Sequence, residues 1–327
     1  MRTYDRKEAE MKIDELGRSG KGFFFIISYD QSQACVEETA NIDSDEMMVA
    51  FPGFSNVPQG VTCRMDSPRL EFRKPDRAQY ERSINIVKRN QSEGNSYLAN
   101  LTCRVPVKTN LDMRDIFIRS KAKYRCWLKD RFVCFSPETF VRIEDGIISS
   151  YPMKGTIDAK RPDAEQLLMD NAKEAAEHAT IVDLIRNDLS QVAEQVTVRR
   201  YRYAERLTTD RGEILQTSSE IAGRLTANYR QHLGRTLMRL LPAGSITGAP
   251  KPKTMEIIRE AEGYERGFYT GVMGYSENGN TDTAVMIRFI DQENGRLFYK
   301  AGGGITARSN NDDEYNEVIE KIYVPIY

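Results

Sequence analysis

The stretch GFYTGVMGYSENGNTDTAVMIRFIDQENGRLFYKAGGGI, from Gly267 to Ile305, decides the fold of this chain of 327 residues. Within it, the segments FYTGVMGYS, DTAVMIRFID and RLFYKAG are rich in aromatic and β-branched residues, which favour strands. A Glu-Asn-Gly turn separates the first two segments and an Asn-Gly turn separates the last two, as is typical of tight hairpins. We therefore predict that the last third of the chain is largely an antiparallel meander.

Elsewhere the pattern is mixed and does not alternate regularly between strands and helices. Strands are predicted at GFFFIISYD, EMMVAFPG, RFVCFSPETFVRI and DGIISSYPM. Helices are predicted in the charged N-terminal segment, at 76–93, from about Pro162 to Asp188, from near Pro252 to Gly263, and in the C-terminal DDEYNEVIEK. We expect one catalytic domain over residues 1–327, with a boundary near Lys74-Pro75 that allows a short N-terminal lobe, 1–75, to pack on it.

The composition excludes several classes of protein. Lys plus Arg total 47 against 48 for Asp plus Glu, so the net charge of -1 provides no general attraction to nucleic acid or to an anionic membrane. The five cysteines are an odd number without a CxxC pair, which argues against a disulfide framework and a zinc knuckle and fits a reducing cytoplasm. No apolar run approaches the roughly 18 residues of a membrane span. We expect a soluble cytoplasmic protein.

Two predicted helices carry paired carboxylates. Glu174 and Glu177 lie three residues apart, and Glu314, Glu317 and Lys321 form a similar stripe near the C-terminus. Either pair could be an ordinary solvated helix face. The first helix is otherwise mostly apolar, however, and two helices with two carboxylates each would supply the hard oxygen ligands that Mg²⁺ prefers.

With these features, the sequence resembles the chorismate-utilising enzymes, the family that includes anthranilate synthase component I, aminodeoxychorismate synthase component I, and the isochorismate and salicylate synthases. The similarity runs from about Asp76 to the C-terminus. It rests on EGNSYLANLT (from Glu93), FSPETF (Phe135), PMKGT (Pro152), EHATIVDLIRNDLS (Glu177), LLPAGSITGAPKPKTMEII (Leu240), GFYTGVMGY (Gly267), AVMIR (Ala284), and AGGGI (Ala301) followed by EYNEVIEK. The resemblance implies an α+β fold in which two antiparallel sheets face each other, flanked by helices, with the site between sheet edges and helices.

The resemblance also implies residue roles. Glu177 and Glu314 would hold Mg²⁺ directly, Glu174 and Glu317 would lie in its water shell, and the metal would grip the ring carboxylate of chorismate. Glu138 would be the general acid that protonates the departing ring hydroxyl. The substrate-binding residues would be Gly155, Thr156, Gln216, Thr247, Tyr269, Arg288, Gly303, Gly304 and Lys321, of which Tyr269, Arg288, Lys321 and the amides around Gly303 and Gly304 would bind the enolpyruvyl carboxylate. Gln216 stands where the family often has a histidine, so it can donate a hydrogen bond but cannot take a charge.

Two positions indicate the branch of the family. Members that attack the ring with water carry a lysine two positions before the asparagine of GNSYLANLT, where this chain has Leu98. The lysine of PMKGT, Lys154, resembles that of the aminodeoxychorismate synthases, whereas anthranilate synthases usually have alanine there. This lysine would attack ring carbon 2 as a neutral amine and expel the 4-hydroxyl, after which ammonia would displace it at carbon 4. The alternative is that Lys154 only pairs with a glutamate, and the sequence does not decide the direction of its pKa shift.

The expected function is therefore that of aminodeoxychorismate synthase component I, which makes 4-amino-4-deoxychorismate for para-aminobenzoate and folate synthesis. Anthranilate synthase component I is the alternative within the family. None of the cysteines lies in a Gly-x-Cys-x-Gly nucleophile elbow, so we expect ammonia to come from a separate glutamine amidotransferase subunit. Outside the family, GSITGAPK could suggest a phosphate-binding loop, but it lacks the Gly-Lys-Ser/Thr ending. A non-catalytic, partner-binding relative is the remaining alternative.

Overall fold

The computed structural model describes residues 2–209 and 212–326. The strands in these residues are β1 (Thr3–Tyr4), β2 (Phe23–Ile27), β3 (Ala34–Glu38), β4 (Met47–Phe51), β5 (Phe54–Ser55), β6 (Leu70–Phe72), β7 (Leu98–Thr109), β8 (Tyr124–Leu128), β9 (Phe132–Ser136), β10 (Thr139–Glu144), β11 (Ile147–Ser150), β12 (Met153–Asp158), β13 (Glu194–Thr209), β14 (Gly212–Arg224), β15 (Gly248–Ala249), β16 (Val272–Glu277), β17 (Asn280–Val285), β18 (Phe289–Glu293) and β19 (Arg296–Ile305). The α-helices are α1 (Arg6–Ser19), α2 (Arg77–Ser92), α3 (Met113–Arg119), α4 (Ala164–Met169), α5 (Ala172–Ser190), α6 (Leu233–Leu240), α7 (Lys251–Glu262) and α8 (Asn311–Glu320).

These strands form two sheets in which every pairing is antiparallel. The first sheet has the order β1-β3-β2-β16-β17-β10-β11-β14-β12, with β13 also paired to β14. The second sheet has the order β15-β7-β19-β18-β9-β8-β4-β5, with β6 also paired to β7.

Apolar side chains hold the layers together. Between the sheets, Phe24 and Met273 of the first sheet belong to the same buried cluster as Val49 and Phe132 of the second. The other face of the first sheet packs against α1, α5 and α6, and the other face of the second packs against α2, α3, α7 and α8. Burial of both faces of each sheet explains why its strands contain long apolar runs. The predicted α+β fold, with two facing antiparallel sheets flanked by helices, is confirmed.

Most predicted helices are confirmed, with one correction. Helix α2 begins after Asp76, whose side chain accepts a hydrogen bond from the Gln79 amide, and α7 ends at Gly263 in the left-handed conformation. The helix predicted from about Pro162 to Asp188 is instead two helices, α4 and α5. The break lies at Asn171, because its side chain caps α5 by accepting a 3.1 Å hydrogen bond from the Glu174 amide.

The meander prediction also needs correction, since the chain changes sheets within it. Strands β16 and β17 form a hairpin in the first sheet, whereas β18 and β19 form a hairpin in the second. Arg288 lies between the hairpins with φ +55°, directly before β18. The segment RFVCFSPETFVRI, predicted as one strand, is likewise split at Pro137 and Glu138 into β9 of the second sheet and β10 of the first. Pro137 has no amide hydrogen to continue a ladder.

The two changes of sheet lie side by side. The Phe135 amide donates to the carbonyl oxygen of Arg288 at 3.1 Å, and the Val285 amide donates to the carbonyl oxygen of Glu138 at 3.2 Å. We call this pair of connections, residues 136–138 and 286–288, the double crossing. It brings Glu138 and Arg288, which are far apart in sequence, to the same end of the space between the sheets.

The segment before Lys74-Pro75 supplies β1, β2 and β3 to the first sheet and β4, β5 and β6 to the second. It is therefore interleaved with the rest of the chain, and the boundary predicted at Lys74-Pro75 falls in the connection between β6 and α2.

All five cysteines are free in the structure. Across 2–209 and 212–326, no helix is long and apolar enough to cross a membrane.

Candidate active site

A cavity of about 760 Å³ opens beside the double crossing, between the sheets and helices α5 and α8. The sequence-predicted residues that line it are Glu138, Lys154, Gly155, Thr156, Glu174, Glu177, Gln216, Tyr269, Arg288, Gly303, Gly304, Glu314, Glu317 and Lys321. Leu98 lines it as well. Residues that had been distributed over much of the chain thus share one cavity, of a size that suits a small organic ligand.

Thr247 is the exception among the predicted site residues. It is fully buried and does not line the cavity, whereas its neighbours Ser245 and Ile246 do. Its carbonyl oxygen accepts a 3.0 Å hydrogen bond from the amide of Asn100, another wall residue. Thr247 therefore supports the cavity wall through its backbone carbonyl group.

Glu138 lies in the double crossing with its carboxyl in the cavity wall. The Ser245 hydroxyl donates to Glu138 Oε1 at 2.8 Å. Burial raises the pKa of Glu138 by more than this hydrogen bond and the charges of Arg288, Lys321 and Lys154 lower it. A carboxyl in this environment keeps its proton to a higher pH than an exposed glutamate, which is the property a general acid needs.

Helices α5 and α8 bring the predicted acidic pairs to the same cavity. Glu314 is 6% exposed, and burial together with Glu317 and Glu177 raises its pKa against the effects of Ser309 and Lys173. Burial acts in the same direction on Glu317, but Lys321, Lys154 and Lys173 together outweigh it, so the pKa of Glu317 is lowered. Lys321 Nζ lies 2.6 Å from Glu317 Oε1.

The glycines of AGGGI let the backbone of β19 approach this acidic wall. A Cβ added at Gly303 would lie 3.5 Å from both Glu314 Oε2 and Glu317 Oε1. Lys321 Nζ also donates to the carbonyl oxygen of Gly302 at 2.9 Å. The C-terminal half of α8 and the end of β19 are therefore joined through one ammonium group.

The chemistry of the acidic wall fits a magnesium ion. Among the described residues, no group of three or more His, Cys, Asp or Glu side chains is arranged as a complete metal site. Mg²⁺, however, usually takes one or two carboxylates and keeps several waters. Within the same part of the chain, no Lys, Arg or His nitrogen lies within 4.0 Å of the buried Glu314 carboxylate. A buried carboxylate without a cation in contact is suited to binding one.

Lys154 lies on β12, where a bulge interrupts the pairing with β14. Lys154 pairs with Thr217 and Thr156 pairs with Gln216, so Gly155 is an extra residue, and it adopts the left-handed conformation with φ +75°. The Thr217 hydroxyl donates to the carbonyl oxygen of Lys154. The bulge fixes the backbone at the point where Lys154, Gly155 and Thr156 all line the cavity.

The side chain of Lys154 forms an ion pair with the acidic wall. Its Nζ lies 2.7 Å from Glu177 Oε2, and Lys173 Nζ lies 3.9 Å from the other oxygen of the same carboxylate. Burial lowers the pKa of Lys154, but Glu177, Glu174 and Glu317 raise it by more, so the net shift is upward. The sequence left the direction of the Lys154 pKa shift open, and in the structure it is upward. Lys154 also pairs with a glutamate, as the alternative interpretation of this residue expected.

Sequence reasoning missed several wall residues. These are Tyr97, Asn100, Lys173, Thr180, Ser245, Ile246, Thr270, Ile287, Glu320 and Tyr323, among others. Lys173, which is four residues before Glu177 on the same helix, could have been found from that spacing. Ser245 and Tyr323 could not, because only the tertiary structure brings them beside Glu138 and Arg288.

The segment GSITGAPK, which could suggest a phosphate-binding loop, ends at Lys251. Lys251 Nζ is 2.8 Å from Asp188 Oδ2 and also donates to the carbonyl oxygen of Leu240 at 2.8 Å. Its lysine is thus engaged within the protein.

Comparison with known proteins supports the resemblance to the chorismate-utilising enzymes. The family model described as chorismate binding enzyme matches residues 10–326. An uncharacterised PabA-like protein of Pasteurella multocida is 45% identical over 317 residues, which cover 96% of this chain and 97% of that protein. Anthranilate synthase component 1 of Acetivibrio thermocellus is 34% identical over 254 residues, which cover 72% of this chain and 50% of that protein.

Solved structures show the same fold at lower identity. Anthranilate synthase component I of Streptococcus pneumoniae has a TM-score of 0.68 at 22% identity, covering 93% of this chain and 80% of its own. The menaquinone-specific isochorismate synthase of Escherichia coli has a TM-score of 0.72 at 15% identity, covering 98% and 82%. From the family match over nearly its whole length, supported by the cavity and the motifs that line it, this chain belongs to the family of chorismate-binding enzymes.

Proposed function

We propose that this chorismate-utilising enzyme is the ammonia-using component of aminodeoxychorismate synthase. The observation that carries the proposal is the pair Lys154 and Leu98 in the wall of one cavity. A lysine is present where an amine nucleophile is needed, and an aliphatic residue, which cannot activate water, stands where the water-using relatives have a lysine.

Substrate would be held from two sides. Arg288, Lys321 and the amides around Gly303 and Gly304 supply the donors that a carboxylate requires, and Tyr269 lies in the same wall. Glu177 and Glu314 would hold Mg²⁺ directly, while Glu174 and Glu317 would act through its waters. The bound ion would bind the ring carboxylate and add positive charge next to the carboxylates that raise the pKa of Lys154.

The reaction would use one lysine and one acid. Lys154 must first release its extra proton to solvent, and its amine then forms a bond to ring carbon 2 while the bond between carbon 4 and the hydroxyl oxygen breaks. Glu138 gives its proton to that oxygen, which leaves as water. Ammonia next bonds to carbon 4, the bond between Lys154 and carbon 2 breaks, and the proton released from the new ammonium group returns to Glu138. The sum is chorismate and ammonia converted to 4-amino-4-deoxychorismate and water.

We further propose that a glutamine amidotransferase subunit supplies the ammonia. The sequence supports this because none of its cysteines lies in the nucleophile elbow of a glutaminase. The purified chain should therefore turn over chorismate with Mg²⁺ and a high concentration of ammonium, but not with glutamine alone. Glutamine-driven turnover by the pure chain would contradict the separate subunit.

Identification of the product tests the main proposal. The expected product is 4-amino-4-deoxychorismate, which retains the enolpyruvyl group. Fluorescent anthranilate together with released pyruvate would instead establish the alternative, anthranilate synthase, which the name of the Acetivibrio relative favours. Absence of any ammonium-dependent product would contradict both.

A further inference from the structure

Arg288 is a cation of the cavity wall without an acidic partner in contact. It is half-buried, and within 2–209 and 212–326 no carboxylate oxygen lies within 4.0 Å of its guanidinium. Partial burial of a charge is costly unless other groups hydrogen-bond to it. The groups that hold the guanidinium while the substrate is absent therefore decide how ready it is to bind a carboxylate.

Tyr323 is one such group. Arg288 Nε donates to the phenol oxygen of Tyr323 at 3.4 Å, and the guanidinium carbon lies 5.5 Å from the centre of the same ring. Both a hydrogen bond and a cation–π contact thus join the two side chains. Because Tyr323 takes the Nε donor, the two terminal amino groups of Arg288 remain for the paired hydrogen bonds that a carboxylate forms with arginine.

The position of Tyr323 is fixed by the chain that follows α8. The Tyr299 hydroxyl donates to the carbonyl oxygen of Tyr323 at 2.9 Å, and Tyr299 is fully buried. Further on, the Lys121 amide donates to the Pro325 carbonyl at 3.2 Å and Ile326 forms a bridge with Ser120. The segment is therefore held by β19 of the second sheet and by the connection between α3 and β8, and Tyr323 lines the cavity beside Arg288.

We propose that Tyr323 is a positioning residue that orients the Arg288 guanidinium toward the substrate carboxylate. The phenol oxygen restrains Nε, the ring contacts the guanidinium, and the terminal amino groups remain available to a ligand. Tyr323 acts through Arg288 and takes no part in bond breaking. The inference rests on the proposed role of Arg288 in holding the enolpyruvyl carboxylate of chorismate.

Two substitutions separate the hydrogen bond from the ring. Tyr323→Phe removes only the phenol oxygen, and Tyr323→Leu removes the ring as well. We expect Tyr323→Phe to weaken chorismate binding and raise KM about three- to tenfold, as loss of one hydrogen bond predicts, with little change in kcat. Tyr323→Leu should weaken binding further. Tyr275→Phe is the matched control, because Tyr275 donates to Glu277 Oε2 at 2.8 Å and does not line the cavity.

Binding is measured by titration calorimetry with chorismate and Mg²⁺ in the Lys154→Ala background and in the absence of ammonia, so that neither product nor the covalent adduct forms. A purely structural role would instead lower the melting temperature and the active fraction, and reduce kcat at unchanged KM. That result, or a Tyr323→Phe enzyme that binds chorismate as tightly as the wild type, would overturn the inference.

A double-mutant cycle tests whether Tyr323 acts through Arg288. Arg288→Lys keeps the positive charge but has no Nε donor at the guanidinium position. In that background Tyr323→Phe should cause no further loss of binding. An equal loss in both backgrounds would mean that Tyr323 acts independently and would overturn the inference. Because binding is measured and not product, a wild type that binds chorismate but forms anthranilate would contradict the proposed function and leave this comparison valid.

Discussion

The ammonium group of Lys154 lies 2.7 Å from Oε2 of Glu177, so the proposed nucleophile and a proposed magnesium ligand form an ion pair. Among the residues that the structure describes, the cationic neighbour of the second oxygen of Glu177 is the more distant Lys173, at 3.9 Å. Any change at Glu177 is therefore expected to affect both the state of the lysine and the affinity for metal.

The four glutamates should differ in their importance. Glu177→Gln or Glu314→Gln should abolish Mg²⁺-dependent turnover, because each would remove a charged oxygen from the metal itself. Glu174→Gln or Glu317→Gln should reduce turnover less, by roughly 10- to 100-fold, as is usual for groups that act through the first ligands. Initial rates measured against Mg²⁺ concentration, with Mg²⁺ binding followed by calorimetry, check this. Equal and mild effects at all four positions would mean that the pairs are solvated helix faces.

Lys154→Ala should bind chorismate normally but lose most of its kcat, the pattern of a lost transition-state interaction. In the wild type, incubation with chorismate and Mg²⁺ but without ammonia should leave a fraction of the protein carrying dehydrated chorismate on the peptide that contains Lys154. Mass spectrometry of the intact and digested protein detects it. Lys173→Ala, which alters the other lysine beside Glu177, should still form the adduct. Normal turnover by Lys154→Ala would refute the nucleophile.

Turnover should decline as the pH rises through the raised pKa of Glu138, because only the protonated carboxyl can act as an acid. The Ser245 hydroxyl bonds to the carboxyl and lowers its pKa, so Ser245→Ala should move this decline to higher pH. The profile of kcat/KM against pH for the two enzymes measures the displacement. A shift toward lower pH, or none, would contradict the role of Glu138 as the acid.

The buried pair of Arg266 and Glu262 should contribute strongly to the free energy of unfolding. Their side chains are 2% and 1% exposed, and two contacts of 2.6 and 2.9 Å join them. Glu262→Gln would leave the guanidinium buried without its counter-charge, which should lower the free energy of unfolding by about 3 to 5 kcal/mol. The double substitution Glu262→Met with Arg266→Leu should lower the free energy of unfolding by less than the sum of the two single substitutions. Each single substitution leaves a buried charge without its partner, whereas the double substitution leaves none. Urea unfolding measures both, and additive losses would contradict this account.

The sequence by itself determined the features that depend on a few neighbouring residues. Asp76 and Gly263 mark helix ends, the Asn-Gly turns mark hairpins, and the spacing of Glu174 and Glu177 puts both on one side of α5. The resemblance to the chorismate-utilising enzymes then allowed site residues to be named in advance, and all of them except Thr247 line the cavity, although wall residues such as Tyr97 and Ser245 were missed. Strands β13 and β14 were not predicted. In β13, Val196 and Val198 alternate with polar residues, a signal that could have indicated the strand, although none of residues 194–207 is buried.

Only the tertiary structure decided how these elements meet. The sequence pattern of an apolar run does not differ between a run that stays in one sheet and a run that changes sheets. The double crossing that brings Glu138 to Arg288 therefore could not be predicted from the apolar runs. The upward pKa shift of Lys154 likewise depends on its separation from Glu174, Glu177 and Glu317, which lie on α5 and α8. Burial and charge act through distance in space, whereas turn, cap and strand preferences act along the chain, and for this reason the elements were predictable but their electrostatics were not.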